Sequence, residues 1–214
     1  MLLTFNALAM DHRIAGNQLI LSGRINGDEI ALMRDVLPAN PQIDTVVLKD
    51  SPGGDIWTAI RLGEMFAERG LKVAASGFCM SACVIAFVGG VERSFADGKE
   101  GRFTYLALHT PTNSDAAPGR EQGKPALQWR GKVMYWMAPR VKDVALLEKA
   151  LANDNPAGFV YLFDSARTSR TDGITVFQCQ GTEKRRIADC APISGTDALR
   201  AGFITSRDIL KVAP

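Results

Sequence analysis

The stretch KDSPGGD, residues 49–55, joins a predicted buried strand to a predicted helix. The strand before it, residues 43–48, is rich in β-branched side chains, and the helix after it, residues 55–69, has apolar residues at helical spacing. Two glycines at such a turn permit positive φ and let the backbone approach a ligand closely. Their N–H groups and the following helix N-terminus favour negative charge. By itself the stretch also fits a tight turn with Asp55 as a helix cap.

Strand and helix patterns alternate along much of the chain. Further strands are predicted at residues 18–22, 71–75 and 103–109, and further helices at residues 28–37, 81–88 and 128–151. Pro38 is expected to stop the first of these helices, and Pro139 to interrupt the last. The alternation predicts an α/β fold with parallel strands and right-handed crossovers. No repeat or low-complexity linker divides the chain, so one domain is expected over residues 1–214.

A serine, Ser81, lies within GFCMSACV, residues 77–84. It is predicted to follow the strand at residues 71–75 by a short turn and to open a helix of small residues. The helix dipole there favours a developing negative charge. The same position also suits an ordinary N-cap serine, which is common in proteins.

A histidine, His109, ends a predicted strand within LALHTP, residues 106–111. The other histidine, His12, lies in a polar N-terminal segment without companion residues. A lone histidine at a strand end is more often structural than catalytic. A glycine turn, a helix-starting serine and a strand-ending histidine together supply the oxyanion hole, nucleophile and base of a serine hydrolase.

The three stretches resemble those of the Clp protease family, in the Clp-protease/crotonase superfamily. That family has an S-P-G-G turn after a buried strand, a serine in a small-residue helix and an H-x-P histidine. The chain is most similar to divergent, often exported bacterial Clp-protease-like proteins, in which an S-A-C segment follows the S-P-G-G. The resemblance covers residues 19–111 and returns weakly at residues 193–205. It implies a β-β-α spiral with a parallel sheet, to which a hairpin with a basic tip, residues 174–190, is a C-terminal addition.

The resemblance also implies roles for particular residues. Ser81 would be the nucleophile and His109 the general base, with oxyanion donors from Gly53, Gly54 and Ala82. Asp189 stands nearest to the family's catalytic aspartate, displaced by about one position, and Asp164 and Asp172 remain alternatives. The implied substrate is a peptide or protein, and the mechanism needs no cofactor or metal.

Two other functions fit the sequence. A catalytically silent scaffold or peptide-binding protein would keep the fold and the groove, and the displaced aspartate favours it. Acyl-coenzyme A chemistry of the crotonase type would use the same fold and glycine turn, but the serine and histidine argue against it. The family assembles into homo-oligomers, and the departure of residues 112–173 from its handle helix favours a smaller oligomer or a monomer.

Four cysteines allow three disulfide connectivities, and their closeness in sequence favours the pairs Cys79–Cys83 and Cys179–Cys190. Metal binding is disfavoured because neither pair is a CxxC and no histidine lies near either pair in sequence. Two disulfides would indicate an oxidising, periplasmic or exported location. The alternative is four reduced, buried cysteines in a cytoplasmic protein.

Charge and hydropathy exclude other classes. The formal net charge of +2 gives no electrostatic reason to expect nucleic acid or an anionic membrane as partner. No apolar run approaches the ~20 residues that a membrane span needs. The opening MLLTFNALAM lacks the basic leader and long apolar centre of a secretory signal.

Overall fold

The computed structural model describes residues 10–112, 126–164, 173–183 and 186–214. In chain order the strands are β1 (Asp11–Ala15), β2 (Gln18–Ser22), β3 (Thr45–Ser51), β4 (Lys72–Met80), β5 (Arg93–Phe95), β6 (Tyr105–Leu108), β7 (Phe159–Phe163), β8 (Val176–Cys179) and β9 (Ala191–Pro192). The helices are α1 (Glu29–Ala39), α2 (Ile56–Glu68), α3 (Ala82–Phe87), α4 (Leu127–Met137) and α5 (Val144–Leu151).

The strands form one mixed sheet with a parallel centre, in the order β1-β2-β3-β4-β6-β7-β8-β9. Strands β2, β3, β4 and β6 run parallel, and β5 pairs with the first half of β4. Strands β1, β7, β8 and β9 are antiparallel to their neighbours. The α/β fold with parallel strands that the sequence predicts is therefore confirmed.

Helix α2 begins where the glycine turn ends. The Asp55 side chain accepts hydrogen bonds from the Thr58 backbone N–H at 2.7 Å and from the Thr58 hydroxyl at 2.6 Å, so Asp55 caps the helix. Ala59, Leu62 and Phe66 lie at helical spacing and are fully buried in the main core. This burial fixes α2 and, with it, the turn that precedes the helix.

Strand β4 is longer than its sequence predicts. It continues through Gly77 to Met80, whereas a turn was expected after residue 75. Gly77 has a φ of 73° and lies at a register shift, because Ser76 pairs with Lys49 but Cys79 pairs with Ser51. The glycine thus forms a bulge within the strand, whose second half also pairs with β6.

Helix α1 includes Pro38 and ends one residue later, at Ala39. The helix was expected to end at residue 37, before the proline, and it extends two residues further. The backbone of Asn40 donates to the Leu37 carbonyl, and its side-chain amide donates to the Val36 carbonyl. These bonds satisfy carbonyl groups of the last turn.

The C-terminal hairpin pairs β8 with β9, with Gln178 opposite Ala191. Its return strand therefore begins directly after Cys190, and residues 184 and 185 of the tip lie outside the described residues.

Both predicted disulfides are present, with Cα atoms 5.3 Å apart for Cys79–Cys83 and 4.6 Å apart for Cys179–Cys190. Across the described ranges, no helix combines the length and apolar character that a membrane crossing requires.

A glycine contact should control how α2 and α3 pack. A Cβ at Gly89 would lie 2.2 Å from the Gly63 carbonyl oxygen, whereas a Cβ at Gly131 in α4 would meet nothing within 4 Å. We expect Gly89→Ala to lower the free energy of unfolding by about 1 to 3 kcal/mol through overpacking. Gly131→Ala should raise it by about 0.5 to 1 kcal/mol, because alanine is the better helix former. Urea unfolding measures both, and equal effects of the two variants would contradict the close contact.

Candidate active site

Ser81 alone connects strand β4 to helix α3, because it lies between the strand's last residue, Met80, and the helix's first, Ala82. Its φ of 55° and ψ of −124° define a backbone conformation that residues other than glycine rarely adopt. Such strain costs about 1 to 3 kcal/mol and clusters at functional sites. In some hydrolases of other folds, the nucleophilic serine also lies on a sharp turn between a strand and a helix.

The Ser81 hydroxyl lies 2.7 Å from Nε2 of His109. It makes no capping hydrogen bond to α3, so the ordinary N-cap explanation does not hold. His109 follows directly after β6, whose Ala107 pairs with Met80 of β4. The Ser81 backbone N–H also donates to the Ala107 carbonyl at 2.7 Å. The parallel pairing of β4 and β6 thus brings together the serine and histidine that the sequence singled out.

The His109 imidazole is held in an apolar setting. Its ring packs against Phe159, with 4.5 Å between the ring centroids. Burial lowers the pKa of His109 from the ordinary 6.5 to about 4, although the Pro156 carbonyl acts in the opposite direction. The imidazole is therefore neutral at neutral pH. Because the Ser81 hydroxyl can donate only to an unprotonated Nε2, the imidazole proton belongs on Nδ1 in that pairing.

The glycine turn packs directly against the serine turn. Gly53 has a φ of 86°, and a Cβ there would lie 2.7 Å from the Ala82 nitrogen and 2.9 Å from the Ser81 Cβ. Gly54 has a φ of 147°, and a Cβ there would lie 1.9 Å from the Ile25 carbonyl oxygen. Both positions exclude any side chain, which explains why two glycines occur in sequence.

The backbone N–H groups at the turn differ in their bonding. The Gly53 N–H donates to the Ser51 hydroxyl at 3.3 Å. The N–H groups of Gly54 and Ala82 donate to no acceptor within the described residues, and Ala82 is the first residue of its helix. Neither N–H group is therefore engaged by a described acceptor.

Neither of the described candidates for the third member, Asp189 and Asp164, makes a hydrogen bond to Nδ1 of His109. Asp189 is in a 3₁₀ turn, and its Oδ2 lies 3.1 Å from Nε of Arg186. Asp164 is buried just beyond the end of β7 that is remote from Phe159, and Asp172 lies outside the described residues. Nδ1 of His109 is buried and makes no hydrogen bond of ordinary geometry to a described residue, although the Pro156 carbonyl is near enough to act against the lowering of the imidazole pKa. No described carboxylate therefore orients the imidazole in this structure.

A groove with an aromatic lining, which was not predicted from the sequence, includes Met80, the residue before Ser81. It has a volume of about 880 Å³, and its lining includes Met80, Tyr105, Phe159, Tyr161 and Phe163. The last three alternate along β7 with core residues, and this period of two in FVYLF is the signal that could have revealed the groove. No group of three His, Cys, Asp or Glu side chains able to hold a metal ion occurs in the described part of the chain.

The lowered pKa of His109 should make stability depend on pH. As the pH falls through 6.5, the unfolded chain takes up a proton that folded His109 accepts only near pH 4. The free energy of unfolding should therefore fall by about 2 to 3 kcal/mol between pH 7.5 and 4.5 because of this residue. Urea unfolding of the wild type and of His109→Gln at both pH values measures the contribution of His109 to this pH dependence. The same pH dependence in both proteins would contradict a buried neutral histidine.

Comparison with solved structures identifies the fold. A mutant of the 1510-N membrane-bound stomatin-specific protease, in complex with a substrate peptide, is 13% identical with a TM-score of 0.54, and the match covers 89% of this chain and 74% of that one. ClpP1 from Listeria monocytogenes is 11% identical with a TM-score of 0.52, and the match covers 93% and 92% of the two chains. A scan against protein-family models and a search of curated proteins found no match. The chain thus has the Clp protease fold.

Proposed function

We propose that this protein is a serine peptidase that cleaves amide bonds through an acyl-enzyme on Ser81, with His109 as general base. The observation that carries the proposal is the 2.7 Å contact between the Ser81 hydroxyl and Nε2 of His109. That distance lies within the reach a base needs to activate a serine. The positive φ of Ser81 adds support, because such strain persists only where the surrounding structure imposes it.

The reaction uses the neutral state of His109. Nε2 accepts the Ser81 proton while Oγ bonds to the substrate carbonyl carbon, and the resulting imidazolium then protonates the departing amine. Water, deprotonated by the same nitrogen, hydrolyses the acyl-enzyme and restores the serine. A pKa of about 4 keeps the base unprotonated at neutral pH but makes it weaker than an imidazole of ordinary pKa. Slow turnover is therefore expected.

The oxyanion of the tetrahedral intermediate would bind the N–H groups of Gly54 and Ala82. Support comes from their lack of acceptors within the described residues and from the close packing of Gly53, the neighbour of Gly54, against Ala82. Gly53 itself is the weaker candidate because its N–H already donates to Ser51. Loss of one such donor in other serine hydrolases costs about 3 kcal/mol of transition-state stabilisation.

A peptide substrate would lie along the aromatic groove, which begins at Met80 beside the nucleophile and at Phe159 beside the base. Apolar and aromatic linings suit extended segments with large apolar side chains. The stomatin-specific protease of similar fold was solved with a substrate peptide, which supports this class of substrate. The two disulfides indicate an oxidising environment, and we propose an exported or periplasmic location.

One observation favours a second function, a catalytically silent peptide-binding protein. No described carboxylate bonds to Nδ1 of His109, and burial holds the histidine pKa low. A base without an acidic partner gives less stabilisation to the imidazolium that forms during attack. In that case the groove would bind peptide without cleavage.

A fluorophosphonate reagent should label Ser81 covalently, and both Ser81→Ala and His109→Ala should remove the labelling. We expect the His109 variant to react at least about 10³-fold more slowly, because nucleophile and base act as a unit. Labelling should persist as the pH falls from 8 to about 5 and should be lost near pH 4, where His109 gains its proton. Peptide mapping by mass spectrometry locates the label. An unlabelled Ser81 throughout pH 5 to 9, in protein that still binds peptide, would favour the silent scaffold.

Asp189→Asn tests the third member of the site. Because Asp189 pairs with Arg186, we expect the labelling rate to change by no more than about two- to threefold. Asp208→Asn, at another exposed aspartate, is the matched control. A loss of about 10³-fold or more for Asp189→Asn alone would show that Asp189 orients His109 during the reaction.

A further inference from the structure

We propose that the Cys79–Cys83 disulfide is a positioning element of the nucleophile, one that holds Ser81 in its reactive backbone conformation. This inference rests on the proposed function of Ser81. The bridge spans Ser81 symmetrically, since Cys79 lies two residues before it in β4 and Cys83 two residues after it in α3. Both cysteines are fully buried, so the bridge belongs to the interior of the site.

Few hydrogen bonds hold the turn at Ser81 among the described residues. Helix α3 has only six residues, and helices this short are not stable on their own. The Ser81 side chain does not cap the helix, and its backbone makes two hydrogen bonds, from its N–H to the Ala107 carbonyl and to its carbonyl from the Val84 N–H. A covalent link from the end of the strand to the first turn of the helix opposes relaxation of φ from its strained value of 55°.

Gly53 restrains the turn from the opposite side. Its backbone lies so close that a Cβ there would be 2.9 Å from the Ser81 Cβ. This contact limits the movement of Ser81 towards the glycine turn, but it does not tie β4 to α3. All six residues of α3 are buried in the main core, so the helix can shift only slightly. Without the disulfide, such a shift lets Ser81 relax, and the hydroxyl then moves out of its 2.7 Å contact with His109.

The second disulfide offers an internal comparison. Cys179 and Cys190 belong to a small cluster with Phe177 that is separate from the main core. They are 11 residues apart in sequence, compared with four for Cys79 and Cys83. Because the chain-entropy gain of a disulfide grows with loop length, the hairpin bridge should contribute more to stability. Loss of Cys179–Cys190 is thus expected to reduce stability more, whereas loss of Cys79–Cys83 is expected to reduce the reactivity of Ser81 more.

The test compares two double variants, Cys79→Ala/Cys83→Ala and Cys179→Ala/Cys190→Ala, in the full chain. Strain of the size stored at Ser81 corresponds to a loss of about 10- to 100-fold in the rate of fluorophosphonate labelling for the first variant. The second should lose no more than about threefold, although its melting temperature should fall further. The pH at which labelling declines should stay the same in the first variant, because the burial that lowers the pKa of His109 does not depend on the position of the Ser81 hydroxyl. Should the alanine pair not fold, Cys79→Val/Cys83→Ala replaces it, since valine fills much of the lost volume.

The outcomes separate the two claims. Labelling of the wild type, with a selective loss in the variants of Cys79 and Cys83, supports the positioning role. Equal losses in both double variants, or an undiminished rate without Cys79–Cys83, would overturn it while leaving Ser81 as the nucleophile. Absence of labelling in the wild type would instead overturn the proposed function.

Discussion

The site depends on one constraint: Ser81 must turn the chain from a strand into a helix in a single residue, at a φ of 55°. This turn directs the hydroxyl towards His109 and leaves the N–H of Ala82, the first helical residue, without an intrahelical acceptor. The conformation of this turn also explains the residues that surround it. Gly53 has no side chain because any Cβ would strike the turn, and the Cys79–Cys83 bridge closes across it.

The parallel sheet brings together residues that are far apart in sequence. Strands β3, β4 and β6 are neighbours, and each carries one part of the site at or just beyond its C-terminal end. The pairs Ser51–Cys79 and Met80–Ala107 align the glycine turn, the serine turn and the histidine. Since a shift of one residue would turn the side chains of a strand to the opposite face, the bulge at Gly77 is as important for the site as the residues themselves.

The parts of this structure that follow from local chemistry could be predicted from the sequence. The central strands, the helix capped by Asp55 and the disulfide pairs belong to this group. The pairing of Ser81 with His109 was instead expected from the order of the three stretches and their family resemblance. The length of β4 could not be predicted, because Gly77 is indistinguishable from a turn glycine until its two neighbouring strands are known. The lack of a described carboxylate bonded to Nδ1 of His109 was also beyond prediction, since Asp189 lies in the connection between β8 and β9, whose path depends on tertiary packing.

In this site a serine hydroxyl contacts a partly buried imidazole that has no described carboxylate partner and a lowered pKa. Whether this geometry performs catalysis depends on the two N–H groups of Gly54 and Ala82 acting on a tetrahedral adduct. A crystal structure of the protein with a peptide boronic acid tests this most directly. We expect a bond from boron to Oγ of Ser81, with a boronate oxygen about 2.7 to 3.1 Å from both nitrogens. A boronate oxygen directed away from these nitrogens, or a groove occupied without a bond to Ser81, would contradict an active serine centre.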